Sequence, residues 1–112
     1  MAELLAPAGN PEKLIWATVY GADAVYFGVD RFSLRSFAGN FTVDDASKGL
    51  EYLHKKGKKG YVTLNIYPYS DEYMDLIKTA HELEDCKADA FIVSDIGVIN
   101  ELKKAGIKTD IH

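Results

Sequence analysis

Cysteine, proline and basic charge are all scarce in this 112-residue chain, which has one cysteine, three prolines and a formal net charge of -4. A single cysteine excludes an internal disulfide, and on that ground the chain is interpreted as cytoplasmic. No apolar run approaches the ~20 residues that a membrane-spanning helix needs. Because Met1, Ala2 and Glu3 lack the basic start of a secretory signal peptide, we expect no such leader.

The charge balance bears on the class of partner. Asp and Glu together number 17 against 13 Lys and Arg, whereas surfaces that attract nucleic acid are normally basic. We therefore expect no nucleic-acid binding by this segment alone. An apolar fraction of 47% with 27% charged residues is ordinary for a globular protein. The length suits one α/β domain, residues 1–112, which buries roughly 65% of the surface of the unfolded chain.

Strand-like and helix-like segments alternate along the whole chain, and this alternation predicts an α/β fold with a parallel sheet. It amounts to about four and a half β/α units and suggests an interrupted barrel. Strands are predicted at residues 3–6, 23–28, 59–66, 90–94 and 107–112, and helices at 11–21, 43–57, 71–86 and 96–105.

The first predicted helix has clear start and stop signals. Asn10 is the expected N-cap, proline occupies the first helical position, and Gly21 supplies the left-handed stop. Leu14, Ile15, Thr18 and Val19 recur at helical spacing, which predicts that they share one face.

Two short segments, 21–24 and 87–90, repeat a small residue and an aspartate between a helix end and a strand start. We interpret Asp23 and Asp89 as structural, because an aspartate there can accept hydrogen bonds from the backbone N–H groups of its turn. Ligands of parallel α/β folds gather at the carboxyl ends of the strands, which is the opposite edge.

The carboxyl ends of the predicted strands carry the candidate site. Asn65, Asp95 and His112 follow the third, fourth and fifth strands. Each has a plainer interpretation: Asn65 bridges backbone groups, Asp95 caps the next helix, and His112 stands out only because the chain stops there.

The loop after the second strand contributes Arg31 and Arg35, and Tyr67 follows the third strand. Arginine side chains suit carboxylate or phosphate ligands, although these two are equally compatible with solvated loop charges. Tyr67 is as compatible with covering the end of the sheet as with lining a pocket.

Other polar clusters favour structural roles. His54 and His81 have no paired acids or cysteines in sequence, so neither is predicted to bind a metal, and Cys86 is interpreted as a small apolar filler. The basic run 55–59 lies at a helix C-terminus, where lysines complement the helix dipole, and this interpretation is favoured over a nucleic-acid patch.

Several separated motifs in the same order resemble the collagenase-like peptidases of the U-32 family. The resemblance covers the whole chain and rests on residues 3–10, 21–28, 32–35, 40–41, 61–65, 88–98 and 110–112. It implies the first half of a (β/α)8 barrel of TIM type, with the missing C-terminal half as its natural partner. It also implies either peptidase activity or oxygen-independent hydroxylation of tRNA, rRNA or a ubiquinone precursor.

Some members of that family use an iron–sulfur cluster, whose cysteines lie beyond the matched stretch. No metal or cofactor is therefore expected in this segment. In the enzyme hypothesis Arg35 and Arg31 hold an anionic substrate group, Asp95 and His112 exchange protons, and Asn65 orients the substrate. Tyr67 lines the pocket.

A stand-alone α/β binding or signalling module is the alternative. A receiver-like domain needs clustered acids after its first strand, and residues 6–8 supply none. Five parallel strands leave two edges and an uncovered face, so we also expect the isolated chain to be catalytically inert and to self-associate as a two-fold dimer.

Overall fold

The computed structural model describes residues 3–29, 41–64, 72–93 and 96–112, with side chains in the third helix described from residue 77 onward. Strands and helices alternate strictly, as the sequence predicts. The elements are β1 (Leu5–Pro7), α1 (Pro11–Val19), β2 (Ala24–Gly28), α2 (Val43–Lys55), β3 (Lys59–Thr63), α3 (Glu72–Asp85), β4 (Ala90–Ile92), α4 (Ile96–Lys104) and β5 (Asp110–Ile111).

The five strands form one parallel sheet in the order β1-β2-β3-β4-β5. Each strand therefore lies beside its sequence neighbour, with one helix in every crossover. This topology confirms the predicted α/β class and is consistent with half of a TIM-like barrel, in which neighbouring β/α units follow each other around a ring.

The strands are shorter than predicted, and the first is shifted. β1 includes Pro7, which was expected to break it. An edge strand tolerates proline because one side of its backbone needs no partner. Within the described residues, β3 ends at Thr63, β4 at Ile92, and β5 has only two residues.

The four helices of the described residues all end in the same hydrogen-bonded turn. The two residues after each C-cap donate backbone N–H bonds into the last turn, as in Ala22 to Ala17 and Gly21 to Thr18. The left-handed position is glycine in three helices, whereas Lys87 occupies it with φ 68° after α3. With this common ending, each described strand after the first begins four to six residues after the last residue of the preceding helix.

The main core lies between the sheet and the helices. Phe27, Val62 and Phe91 point from the central strands towards the helices and are fully buried. The ring of Phe27 stacks on Phe41 with centroids 4.4 Å apart. This helix-covered face of the sheet accounts for most of the buried apolar side chains.

The opposite face of the sheet, here called the open face, has a small cluster made of strand residues only. Ala24, Tyr61 and Ala90 are buried there, with Tyr26 and Ile92 partly buried against them. No described helix contributes to this cluster. In a closed barrel this face would be the interior.

Helix α1 departs from the sequence prediction. Leu14 is buried, but Ile15 and Val19, which were expected to share its apolar face, are 47% and 64% exposed. Leu14 and Thr18, two members of the predicted face, do turn towards α2, since the Thr18 hydroxyl lies 3.1 Å from the Tyr52 hydroxyl. Sequence spacing alone did not distinguish the two apolar sides of this short helix. Across the described ranges, no helix is both long and apolar enough to cross a membrane.

Candidate functional site

Four residues form a row across the open face at the carboxyl ends of the strands, namely Gly28, Thr63, Ile92 and His112. Gly28 is paired with Thr63, and Thr63 with Ile92. His112 follows Ile111, the partner of Phe91, and so continues the row on β5. Because side chains alternate along a strand, these positions all belong to the open face. A hydroxyl and an imidazole therefore lie at the edge where ligands of parallel α/β folds collect.

The backbone fixes His112 within the sheet. Its N–H donates to the Phe91 carbonyl (2.8 Å), and its carbonyl accepts from the Val93 N–H (3.1 Å). The imidazole ring lies 5.7 Å from the Tyr61 ring, at an interplanar angle of 57°. A predicted site residue is thus held in register with β4 and beside an aromatic ring.

Tyr61 connects the two edges of the open face. Its hydroxyl donates to Glu3 Oε1 (2.8 Å) ahead of β1, while its ring contacts His112 after β5. Burial raises the pKa of Tyr61 to about 12, with the Glu3 hydrogen bond and the negative charges of Glu3 and Asp89 adding to the effect. Tyr61 is therefore a neutral hydrogen-bond donor, not an acid or base, near neutral pH.

Gly28 lies close to the Thr63 side chain. A Cβ added there would lie 3.0 Å from Thr63 Oγ1, so a side chain would crowd the only hydroxyl of the row. Thr63 Oγ1 in turn makes a long contact of 3.4 Å with the Phe27 carbonyl. The absence of a side chain at Gly28 therefore leaves the space beside the Thr63 hydroxyl unfilled by this residue.

The remaining predicted site residues lie outside the described part of the chain. These are Arg31, Arg35, Asn65, Tyr67 and Asp95. Their proposed convergence with His112 stays a prediction.

Sequence reasoning did not single out Tyr61 and Thr63 as site residues. The signal was present, since alternation along β3 puts both on the face opposite Val62. It was not used because both residue types are common in strands.

Both aspartates at the amino edge have the structural role that the sequence predicts. Asp23 Oδ2 accepts from the Leu4 N–H (2.8 Å), and Asp89 Oδ2 accepts from the Gly60 N–H (2.7 Å). The donors differ from those expected, because they belong to the preceding strand segment and not to the aspartate's own turn. Each carboxylate therefore ties one strand to the next.

His54 has an acidic partner that the sequence did not reveal. Its Nε2 lies 2.8 Å from Asp89 Oδ2, although the two residues are 35 positions apart. The statement that His54 lacks a paired acid was therefore wrong. The pair lies at the amino edge of the sheet, where the same Asp89 carboxylate also accepts from the Gly60 N–H. It therefore belongs to the scaffold and not to the row at the carboxyl ends of the strands.

Glu84 makes a third carboxylate contact of this kind. Its Oε2 accepts from the backbone N–H groups of Lys108 (2.6 Å) and Thr109 (2.9 Å) and from the Thr109 hydroxyl (3.1 Å). Burial tends to raise the pKa of Glu84, but these hydrogen bonds and the nearby His81 outweigh it and hold the pKa below its ordinary value. The start of β5 is thereby tied to α3.

The basic run after α2 has local partners. Lys55 Nζ lies 3.1 Å from Glu51 Oε1, and Lys56 Nζ lies 5.8 Å from the centroid of the Tyr52 ring. Both contacts are within one helical turn, as expected of lysines at a helix C-terminus.

Metal and cluster ligands are not grouped in the described part of the chain. Within 3–29, 41–64, 72–93 and 96–112, no three His, Cys, Asp or Glu side chains are grouped as a metal site. An iron–sulfur cluster is held by several cysteine thiolates, and Cys86, half-buried against the core, is the only cysteine of the chain. The residues of this chain do not fit such a cluster.

Comparison with known proteins assigns the family. The model of Peptidase family U32 matches residues 9–112. The chain belongs to this family. Two relatives are tRNA hydroxylation protein P1 of Bacillus subtilis, 40% identical over 110 residues, and tRNA hydroxylation protein P of Helicobacter pylori, 41% identical over 111 residues. A collagenase of Porphyromonas gingivalis is 31% identical over 110 residues.

These alignments cover nearly all of the chain and a minor part of each relative. The two hydroxylation proteins are matched over 98% of the chain and 26% of their own length, and the collagenase over 97% and 27%. The chain therefore spans about a quarter of the length of these curated U32 relatives. The U32 resemblance inferred from the sequence motifs is confirmed.

Proposed function

We propose that this chain forms part of the substrate pocket of a U32 enzyme that takes part in hydroxylating RNA. The observation that carries the proposal is similarity along 98% of the chain to proteins named for tRNA hydroxylation, at 36–41% identity. A relative named 23S rRNA 5-hydroxycytidine C2501 synthase adds 35% identity over 97 residues. The collagenase, at 31%, is less similar.

The pocket that we propose opens at the carboxyl ends of the strands. His112 exchanges a proton with the substrate there, with Asp95 as its acidic counterpart and Asn65 as an orienting amide. The position of His112 in the row with Thr63 supports this assignment. Tyr61 acts as a positioning residue, because its ring contacts His112 while its hydroxyl is bound to Glu3.

Recognition of an RNA substrate needs groups that bind phosphate. Arg31 and Arg35 are proposed for that role, since the guanidinium fork suits phosphate oxygens, and Tyr67 is proposed to line the pocket. The pocket is completed by residues outside this chain, so the isolated chain is expected to be inert. An RNA substrate and a single cysteine both favour the cytoplasm as the compartment.

A chimera tests the proposal with the chain as it stands. The matching 110 residues of the Bacillus subtilis tRNA hydroxylation protein P1 are replaced by this chain, and the chimera is expressed in cells that lack the native gene. Mass spectrometry of tRNA nucleosides then measures hydroxylation. We expect the chimera to restore it, and His112→Ala in the chimera to lower it by about a hundredfold, the usual order for a proton-transfer group.

Asp110→Asn is the matched control, because Asp110 lies on the same short strand but at its amino end. A second chimera puts the chain into the Porphyromonas gingivalis collagenase and measures gelatin cleavage. A folded tRNA-protein chimera without hydroxylation, beside a collagenase chimera that cleaves gelatin, would overturn the RNA assignment. Equal hydroxylation by the wild-type and His112→Ala chimeras would remove His112 from the site.

A further inference from the structure

Three polar side chains are connected across the open face, from the segment before β1 to the end of β5. The Tyr61 hydroxyl donates to Glu3 Oε1 (2.8 Å), and the centroid of the Tyr61 ring lies 5.7 Å from that of the His112 ring. Glu3 is two residues before Leu5, the strand partner of Ala24, so alternation puts its side chain on the same face. Residues from the two edges of the sheet therefore share one neighbour.

Two alanines allow Tyr61 to contact residues that lie two strands away. Neighbouring strands are about 4.8 Å apart, so Glu3 and His112 are each roughly 10 Å from β3, on opposite sides. Ala24 on β2 and Ala90 on β4 are buried in one cluster with Tyr61. Because an alanine side chain is only a methyl group, these two strands place little between Tyr61 and its two partners.

Asp23 fixes the backbone next to Glu3. Its Oδ2 accepts from the Leu4 N–H (2.8 Å), and its own N–H donates to the Leu4 carbonyl (2.8 Å). The Ala24 N–H donates to the same carbonyl (3.2 Å). Because Leu4 directly follows Glu3, the Glu3 side chain extends from a backbone whose next N–H and carbonyl are both bound to the start of β2.

Asp89 fixes the backbone next to Tyr61 in the same way. Its Oδ2 accepts from the Gly60 N–H (2.7 Å), and its own N–H donates to the Gly60 carbonyl (2.9 Å). Burial, then the Glu3 hydrogen bond and the charges of Glu3 and Asp89, raise the pKa of Tyr61 to about 12, so the phenol stays protonated and donates. The two repeated aspartates thus hold both partners of the Tyr61–Glu3 bond.

From this arrangement we propose that Glu3 is a positioning residue for His112 and acts through Tyr61. A carboxylate that accepts from a phenol makes a charge-assisted hydrogen bond, which is shorter and stronger than a neutral one. The bond sets the tilt of the tyrosine ring, and the ring limits the positions of the His112 imidazole beside it. This role rests on the proposed function, in which the imidazole exchanges a proton with the substrate.

The Tyr61–Glu3 bond also has a plain structural use, because it satisfies the hydroxyl of a buried tyrosine. The two roles differ in what they predict for His112. If the bond serves stability alone, its loss leaves the imidazole where it is in every variant that folds. If the bond positions His112, its loss moves the imidazole in the folded chain.

Nuclear magnetic resonance of the histidine rings in the 112-residue chain measures this movement directly. The chain has three histidines, at 54, 81 and 112, and the His112→Asn variant identifies the signals of the last. We expect Glu3→Ala to shift the His112 ring signals, because the tyrosine ring beside them changes its tilt. The His81 signals, from α3, should stay in place.

Two further variants separate the hydrogen bond from the charge. Glutamine keeps an acceptor oxygen, so Glu3→Gln should leave the His112 signals close to those of the wild type. Tyr61→Phe keeps the ring without the hydroxyl and should shift them as Glu3→Ala does. The double variant should show no further shift, because Glu3 acts through Tyr61. Glu12→Ala, at an exposed acid in the first turn of α1, is the matched control and should shift nothing.

The same substitutions in the tRNA hydroxylation chimera connect the movement to the reaction. We expect Glu3→Ala and Tyr61→Phe to lower hydroxylation by about tenfold, less than the roughly hundredfold cost of a misplacement of about 1 Å. Glu3→Gln should restore most of the loss, and Glu12→Ala should match the unsubstituted chimera. Immunoblotting checks that each chimera accumulates to the same level.

Unmoved His112 signals in a Glu3→Ala chain that circular dichroism shows to be folded would overturn the proposal. So would equal shifts in Glu3→Ala and Glu3→Gln, or shifts that add in the double variant. If Glu3→Ala does not fold, Tyr61→Phe decides the question, because it keeps the ring: unmoved His112 signals there would have the same meaning.

Failure of the positioning role and failure of the proposed function give different results. Normal hydroxylation by the Glu3→Ala chimera would overturn the role of Glu3 alone. An unsubstituted chimera that folds without hydroxylating tRNA would overturn the proposed function, whereas the histidine signals would still decide whether Glu3 positions the imidazole.

Discussion

The two faces of the sheet are formed by the same five strands but are stabilised in different ways. On the helix-covered face, Phe27, Val62 and Phe91 are buried against residues from all four helices. On the open face, Ala24 and Ala90 flank Tyr61, which is held by its hydrogen bond to Glu3 and its contact with His112. One face is a packed core, whereas the other combines a few polar contacts with the candidate site.

Truncation of neighbouring residues on β4 gives the largest contrast between the faces. Phe91→Ala removes a fully buried ring and should lower the free energy of unfolding by about 3–5 kcal/mol. Ile92→Ala, on the open face, is the matched variant and should cost less, about 1.5 kcal/mol, because the Ile92 side chain is only partly buried. Urea unfolding followed by circular dichroism measures both. Equal losses would show that the open face is packed as tightly as the other.

Addition of a methyl group to a glycine on each face gives the next contrast. A Cβ on Gly60 would overlap Leu50 Cδ2 and lie 3.0 Å from Leu53 Cδ1, so Gly60→Ala should cost about 1–3 kcal/mol. Gly28→Ala on the open face meets only Thr63 Oγ1 within 4 Å, and the threonine side chain can rotate. Its cost should be below about 1 kcal/mol. A larger loss for Gly28→Ala in urea unfolding would contradict the comparison.

Acid should weaken the helix layer through Glu84. Its pKa is lowered in the folded chain, so its contribution is present above the ordinary glutamate pKa and is lost as pH falls through the lowered value. Glu84→Gln should cost about 1 kcal/mol at neutral pH, and the difference from wild type should shrink below about pH 4. Glu51→Gln, in an exposed pair with Lys55, is the control. A pH-independent loss would exclude the carboxylate charge as its cause.

Alkali should weaken the open face through Tyr61. Its pKa is raised to about 12, so the folded chain retains a proton that the unfolded chain loses near pH 10. Stability should therefore fall between about pH 10 and 12, and Tyr61→Phe should flatten that decline while costing only about 0.5–1 kcal/mol at neutral pH. Unfolding at a series of pH values measures this effect. Tyr20→Phe, on the exposed side of α1, should leave the decline unchanged; a Tyr61→Phe profile parallel to wild type would contradict the assignment.

Local sequence signals predicted the elements well where the cause is local. Asn10 caps α1 by accepting from the Lys13 N–H, and Thr42 forms a capping box with Asp45 at α2. The helix stops at Gly21 and Gly57 are equally local, because a left-handed residue favours glycine. Such features depend on residues within four positions of each other.

Features that depend on distant residues were predicted poorly. The His54–Asp89 pair joins positions 35 apart, and the Tyr61–Glu3 hydrogen bond joins positions 58 apart. The exposed side of α1 was missed for the same reason, since Ile15 and Leu14 are equally apolar and only the position of α2 decides between them.

The sequence by itself determined the alternation of strand and helix, the caps and stops, and membership of the U32 family through motifs spread along the chain. Tertiary structure alone decided which apolar side of α1 is buried, which donors Asp23 and Asp89 bind, and which side chains accompany His112 on the open face. The physical reason is range: caps and periodicity act within one or two turns. Burial and pairing across the sheet depend instead on the placement of elements that are far apart in the chain.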